Sequence, residues 1–229
     1  MKMLKIFASL FGAIGVLLSA TLPSDVEANL DRIMNTLAAY DTTKLEFQLN
    51  AQLAGLKATA DGVAYYDNSG KFRIEIAKLV YLVNDGKNFW FYTPLTNEYS
   101  HGEMPLQDII RFTSPGQTNP TLGPFLSFIL KQIFTSEDFA LQSATVQEET
   151  IEDKKAIALT FVSKKGFQVK IWADGNSYNL LQIGLMAKIG EEILTVYLKV
   201  IRISLMPSLP PNLFVFTPPP GAKEAKGKK

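Results

Sequence analysis

The 229-residue chain has no cysteine and a single histidine, His101. Without cysteine no disulfide can brace the fold, and no residue is available for the acylation that anchors a bacterial lipoprotein. A Ser-His-Asp arrangement would have to use His101, which stands beside Gly102 at a strand end, and no serine lies in a nucleophile elbow. Metal-ligand spacings fail for the same reason. No glycine-rich phosphate loop is present, since Gly166, Gly175 and Gly184 fall at turns or inside strand patterns. The acid pairs Glu148-Glu149 and Glu152-Asp153 sit beside Lys154 and Lys155 in a polar connector, not across a cleft as glycoside hydrolysis requires. With 23 basic and 22 acidic residues the formal net charge is +1, so no basic face is offered to nucleic acid. These absences point away from enzymes, cofactors, metals and nucleic-acid partners.

A long hydrophobic run is also missing. The longest, Ile6 to Leu18, is broken by Gly12 and Gly15 and falls short of the roughly 20 residues a spanning helix needs. Preceded by Lys2 and Lys5 and followed by Ser19 and Ala20, it reads as a secretory signal peptide over 1–20, cleaved near Ala20. Beyond it there is no linker, repeat or composition break. One domain over 21–222 is expected, followed by a disordered, solubilising Lys-rich tail, 223–229.

What is present is apolar surface: 47% of residues are hydrophobic and only 20% charged. Ser24 and Glu27 form a capping-box pattern at the head of an amphipathic helix over 25–40, whose stripe is Val26, Leu30, Ile33, Leu37 and Tyr40. The period then drops to two. Leu45, Phe47, Leu49, Ala51 and Leu53 alternate with Glu46, Gln48, Asn50 and Gln52, as in a strand with one dry face. Further strands are expected near 58–66, 71–77, 79–84, 88–93 and 97–102. They resume at 139–147, 156–163, 166–173, 178–188 and 192–205, with turn signals at Asn68-Ser69-Gly70, Asp85-Gly86 and Asp174-Gly175. A last strand opens "LFVFTPPPG" (213–221), ended by its three prolines. Between the two groups, 104–112 and 123–134 read as short helices, the second apolar nearly all round.

No long helix separates consecutive strands, so the sheet should be antiparallel and meandering. About eleven strands in one curved sheet would wrap toward a barrel, with helices at its mouth. Three stretches exceed ordinary core needs: the aromatic strand Asn88–Thr93, the helix 124–134 and the two-faced strand 192–205. Composition leaves two accounts open, a large packed core or a cavity for an acyl chain.

Four stretches carry a resemblance. "DGKNFWFYTPLTNEYS" (85–100) resembles the central motif of the periplasmic outer-membrane lipoprotein carrier family, LolA, in which an Asp-Gly-Lys turn leads into an aromatic strand ending in a Tyr-x-Pro step. "GVAYYDNSGKFRIEI" (62–76) is similar to the preceding hairpin of that family, "GPFLSFIL" (123–130) to its helical segment, and "FVFTPPPGA" (214–222) to its C-terminal signature. In order, they span nearly the whole mature chain. The resemblance implies an incomplete antiparallel β-barrel with a lid of short helices over an apolar cavity. It implies a periplasmic, monomeric, non-enzymatic carrier that takes acylated lipoprotein, or another lipid, from an inner-membrane ABC transporter to an outer-membrane acceptor.

On this resemblance the cavity lining is expected from Phe47, Leu49, Phe72, Ile74, Trp90, Tyr92, Phe125, Leu126 and Ile129. Leu30, Ile33 and Leu37 of the first helix are expected to close it as lid contacts. Two departures stand out. The hairpin reads Asp67-Asn68-Ser69 where the family carries a lid-latching Arg, and Ile74 stands at its usual Trp. A carrier of glycolipid or phospholipid, and a lipoprotein-sensing regulatory module, are the alternatives.

Overall fold

The structure, a computed structural model, describes residues 22–38, 42–67, 69, 71–77, 79–103, 141–189, 191–206 and 208–225. The expected signal sequence over 1–20 and the two expected helices at 104–112 and 123–134 lie outside the described residues.

Among the described residues one helix, α1 (Ser24–Ala38), precedes the strands. Its first backbone bond runs from Glu27 N–H to Pro23 C=O at 3.0 Å, and the Asp25 carboxylate accepts the Val26 N–H at 2.9 Å. The helix thus starts a residue earlier than the capping-box pattern suggests. The acids of its first turn, Asp25 and Glu27, complement the positive end of its dipole. Val26 and Ile33 are fully buried and Leu30 and Met34 pack beside them, while Asp31, Arg32 and Asn35 face solvent.

Twelve strands follow among the described residues, eleven of them in two meanders. The first runs β1 (Thr42–Leu53), β2 (Leu56–Asp67), β3 (Phe72–Ile76), β4 (Val80–Asn84), β5 (Asn88–Thr93) and β6 (Glu98–Glu103). The second runs β7 (Leu141–Ile151), β8 (Lys154–Ser163), β9 (Gln168–Asp174), β10 (Leu180–Ile189) and β11 (Glu192–Leu205). The long strands β1 and β11 join the meanders antiparallel, with a bulge between Glu46 and Phe47. With a short last strand, β12 (Lys223–Glu224), they form a single sheet of order β12-β6-β5-β4-β3-β2-β1-β11-β10-β9-β8-β7. Among the described residues its two ends are not paired with each other, so it is an open sheet, an incomplete barrel.

Turn chemistry fixes the register of the hairpins. Ala54-Gly55 and Glu152-Asp153 connect their strands as two-residue loops with φ of 51° and 78°, and 49° and 64°. Both residues are left-handed in each, as a type I′ turn demands. Asp85 accepts the N–H groups of Lys87 and Asn88, and Asp174 those of Asn176 and Ser177, which nails both predicted Asp-Gly turns. For Asp174 these backbone bonds hold the carboxyl below its ordinary pKa.

The C-terminus departs from expectation. Residues 213–216 are not a strand. The segment 208–225 crosses the sheet face opposite α1, and β12 lies parallel to β6. Lys223 N–H donates to Asn97 C=O at 3.0 Å and Ala225 N–H to Tyr99 C=O at 2.7 Å. The first part of the Lys-rich segment is therefore laid along the sheet edge.

Candidate functional site

Strand pairing sorts every side chain onto one of two faces, because directly opposed residues share a face. Starting from Leu45, Phe47 and Leu49, cross-strand rows can be followed over the sheet. One row is Leu205–Thr43–Tyr66–Phe72–Asn84–Phe89; the next is Ile203–Leu45–Ala64–Ile74–Leu82–Phe91. Farther along come Leu49–Leu198–Ile183–Ile171–Leu159–Val146 and Ala51–Val196–Leu185–Val169–Phe161–Ala144. This is the face on which α1 packs, and apart from Leu205, Thr43 and Asn84 the side chains of these rows belong to one continuous apolar cluster with Val26 and Ile33.

The described residues do not cover this face uniformly. Phe47, Phe72, Ile74, Leu82, Phe161 and Ile171 are buried, whereas Leu49, Ala51, Leu53, Leu198, Val200 and Ile203 are only partly so. The open part lies on β1 and β11 and is flanked on β2 by Ala58, Ala60, Gly62 and Ala64, small residues on the same face. A Cβ at Gly62 would stand 2.3 Å from Phe47 Cζ, so the ring occupies the space that glycine leaves.

Of the residues expected to line a cavity, Phe47, Leu49, Phe72 and Ile74 stand together on this face. Leu30 and Ile33 of α1 join the same cluster. Leu37 lies in the last turn of α1 with its side chain outside the described residues, as do Phe125, Leu126 and Ile129 entirely.

Trp90 and Tyr92 do not share the face. They pair with Val83 and Tyr81, whose own neighbours Arg73 and Glu75 belong to the opposite side. Phe89 and Phe91 take the helix-side positions instead, and Phe89 lies 6.2 Å from Phe72, ring centre to ring centre. The cause is parity. Four residues, 85–88, separate the opposed pair Asn84 and Phe89. An even loop carries the face of Leu82 and Asn84 onto odd-numbered residues of β5. That signal was present in the sequence, but with aromatics on both faces hydrophobicity could not report the phase.

The outward rings have their own cover. Phe216 sits 5.5 Å from Trp90 and 5.7 Å from Tyr92, and Phe214 is buried. Trp90 also stacks on His101 at 4.6 Å, and His101 Nδ1 lies 3.1 Å from the Glu224 carboxylate. Arg73 points the same way: its Nε bonds Glu75 at 2.5 Å and its Nη1 donates to Leu213 C=O at 3.3 Å. The C-terminal segment thus acts as a strap on the outer face of β3–β6.

Two other features complete the outer face. A shallow groove of about 580 Å³ beside β1–β3 is lined by the acids Glu46, Asp61 and Glu75 and by the apolar Phe47, Val63, Ala77 and Ile201. On β7–β9, Glu149 reaches across the small Ala156 and Ala158 of β8. It accepts from Lys170 Nζ at 2.5 Å and Trp172 Nε1 at 2.8 Å. Partial burial alone would raise its pKa, but these two donors outweigh burial and hold the carboxyl below its ordinary value. Among the described residues no group of three His, Cys, Asp or Glu side chains is placed to hold a metal ion.

Solved structures of similar shape come from several bacteria. An uncharacterised conserved protein from Thermus thermophilus is 14% identical, with 88% of this chain and 99% of that one aligned at a TM-score of 0.54. A LolA superfamily protein from Nitrosomonas europaea is 10% identical over 86% and 99% of the two chains, TM-score 0.38. LprF from Mycobacterium bovis is 9% identical over 82% and 98%, TM-score 0.38. The Thermus protein shares the fold. Among curated proteins, none matches this chain. Residues 70–226, most of the chain, match the family DUF2092, described as predicted periplasmic protein, and the chain belongs to that family.

Proposed function

We propose that this protein carries acyl chains across the periplasm, shielding them on the helix-side face of its open sheet. The observation that supports this reading is the middle of that face, where Leu49, Leu198, Val200 and Ile203 remain partly open beside small β2 side chains. Each methylene removed from water is worth about 0.8 kcal/mol. A sixteen-carbon chain therefore costs on the order of 10 kcal/mol to leave exposed, more than any aqueous crossing tolerates. An open sheet suits this task better than a closed barrel, since its lining serves as core when empty and as binding surface when full.

The cargo in this proposal is the acylated end of a lipoprotein, in keeping with the motif resemblance of 85–100 and 214–222. It would be received from an inner-membrane ABC transporter and passed to an outer-membrane acceptor. Each handover in this scheme runs down a gradient of affinity. The signal sequence over 1–20 would deliver the chain to that compartment.

Binding of 1-N-phenylnaphthylamine, an apolar fluorophore, and its displacement by palmitoyl lipids test the surface. Leu49→Gln and Leu198→Gln should each weaken palmitoyl binding by about tenfold, as one to two methylenes lose apolar contact, with an unchanged circular dichroism spectrum. Folded variants that bind like the wild type would remove this face from the account.

A further inference from the structure

Two hydroxyls stand out on the helix-side face. Thr43 and Tyr66 are directly opposed across β1 and β2, 0% and 1% exposed, and their Oγ1 and Oη atoms have no hydrogen-bond partner among the described residues. Around them on the face Leu45, Ala64, Phe72 and Ile74 are buried and apolar, while Leu205, opposed to Thr43 on β11, is exposed. Leaving one buried hydroxyl unmade costs about 1–3 kcal/mol, and two side by side on one face call for a reason. Phe and Val would have filled the same space without that cost.

We infer that Thr43 and Tyr66 form the polar anchor of the acyl site, hydrogen-bonding the ester or amide carbonyl by which an acyl chain is attached to its carrier molecule. This rests on the acyl-carrier reading and specifies its ligand. A carbonyl oxygen is an acceptor, and each hydroxyl has a free proton to donate. Burial pushes the Tyr66 phenol far above its ordinary pKa, so it remains a donor throughout the working range. No cation belongs to this face among the described residues of rows 43–89 and 45–91. A carboxylate would be desolvated there without a counter-charge, so the anchor selects neutral acyl linkages over free fatty acid. The hydroxyls stand at the Thr42–Asp67 end of the β1–β2 ladder, and the half-open positions Leu49, Ala51 and Leu53 run toward its other end. A chain held by its carbonyl at the first end would lie along the second.

The test compares 1-palmitoyl lysophosphatidylcholine with its 1-O-hexadecyl ether analogue, which lacks only the carbonyl. The wild type should bind the ester about five- to tenfold more tightly, the worth of one to two hydrogen bonds. In the double variant Tyr66→Phe, Thr43→Val the preference should fall below about twofold with ether affinity retained. Its thermal midpoint should hold or rise, because no bond is lost. A wild type without preference, or a preference that survives the substitutions, overturns the anchor while leaving the carrier reading in place. Failure of the wild type to bind either lipid overturns both. Competition for the bound ester by an N-acyl, S-diacylglyceryl cysteine peptide and by a diacyl phospholipid identifies the source. Displacement by either supports the anchor, the tighter competitor naming the natural cargo, and displacement by neither overturns it.

Discussion

At Gly62 the missing side chain decides where Phe47 goes. The ring fills the site of the absent Cβ at 2.3 Å and becomes buried on the helix-side face. Gly62→Ala should therefore cost about 1–3 kcal/mol, the usual penalty of overpacking, read as a lower urea midpoint with unchanged slope. No loss of stability would mean that the ring does not need this space. The alternation of Leu45, Phe47 and Leu49 made this face legible in sequence, and so did the Phe72–Ile74 pair. The phase of β5 was not, because Phe89, Trp90, Phe91 and Tyr92 satisfy an apolar neighbour on either side. Nor could the sequence reveal that Thr43 and Tyr66 lack partners among the described residues, since unmade hydrogen bonds exist only in three dimensions.

Among the elements, the strap and the edge strand explain residues that look dispensable in sequence. The Phe-x-Phe run of the C-terminus was visible as a motif but suggested a strand. Its phenylalanines are used as side-chain anchors, Phe216 against Trp90 and Tyr92, while the backbone pairs later, at β12. Truncating Phe216→Ala should cost about 2 kcal/mol, less than a fully buried phenylalanine, and should shift Trp90 emission to the red. An unshifted spectrum would show that the strap does not shield the indole. At the other edge, β7 has a ladder partner only in β8 among the described residues, and Glu149 ties it to β9. Because its pKa is lowered on folding from 4.5, the clamp contributes fully above that pH and is lost as pH falls through the lower folded value. The wild type should thus lose its stability advantage over Glu149→Gln as pH falls below 4.5, measured as the difference in thermal midpoint. A difference independent of pH would exclude the ionised clamp. The acid pairs read as a solvated connector because the Ala156–Ala158 gap that lets Glu149 reach Trp172 appears only once β8 and β9 are aligned.

For the whole molecule, the two meanders follow from the turn signals and the absence of long helices between strands, which is why an antiparallel, incomplete barrel was legible early. The seam between β1 and β11 was less so, since pairing residues 43–52 with 195–205 depends on no local pattern. What the seam creates is the central claim: an apolar face running through both meanders and left partly open where they join. Mass spectrometry of lipid extracted from the protein, purified from the periplasm without detergent, tests that claim most directly. The account predicts an acyl-bearing molecule in near-stoichiometric amount, a lipoprotein fragment if the cargo is as proposed. Recovery of no acyl lipid above that of an unrelated periplasmic protein prepared in parallel would contradict it.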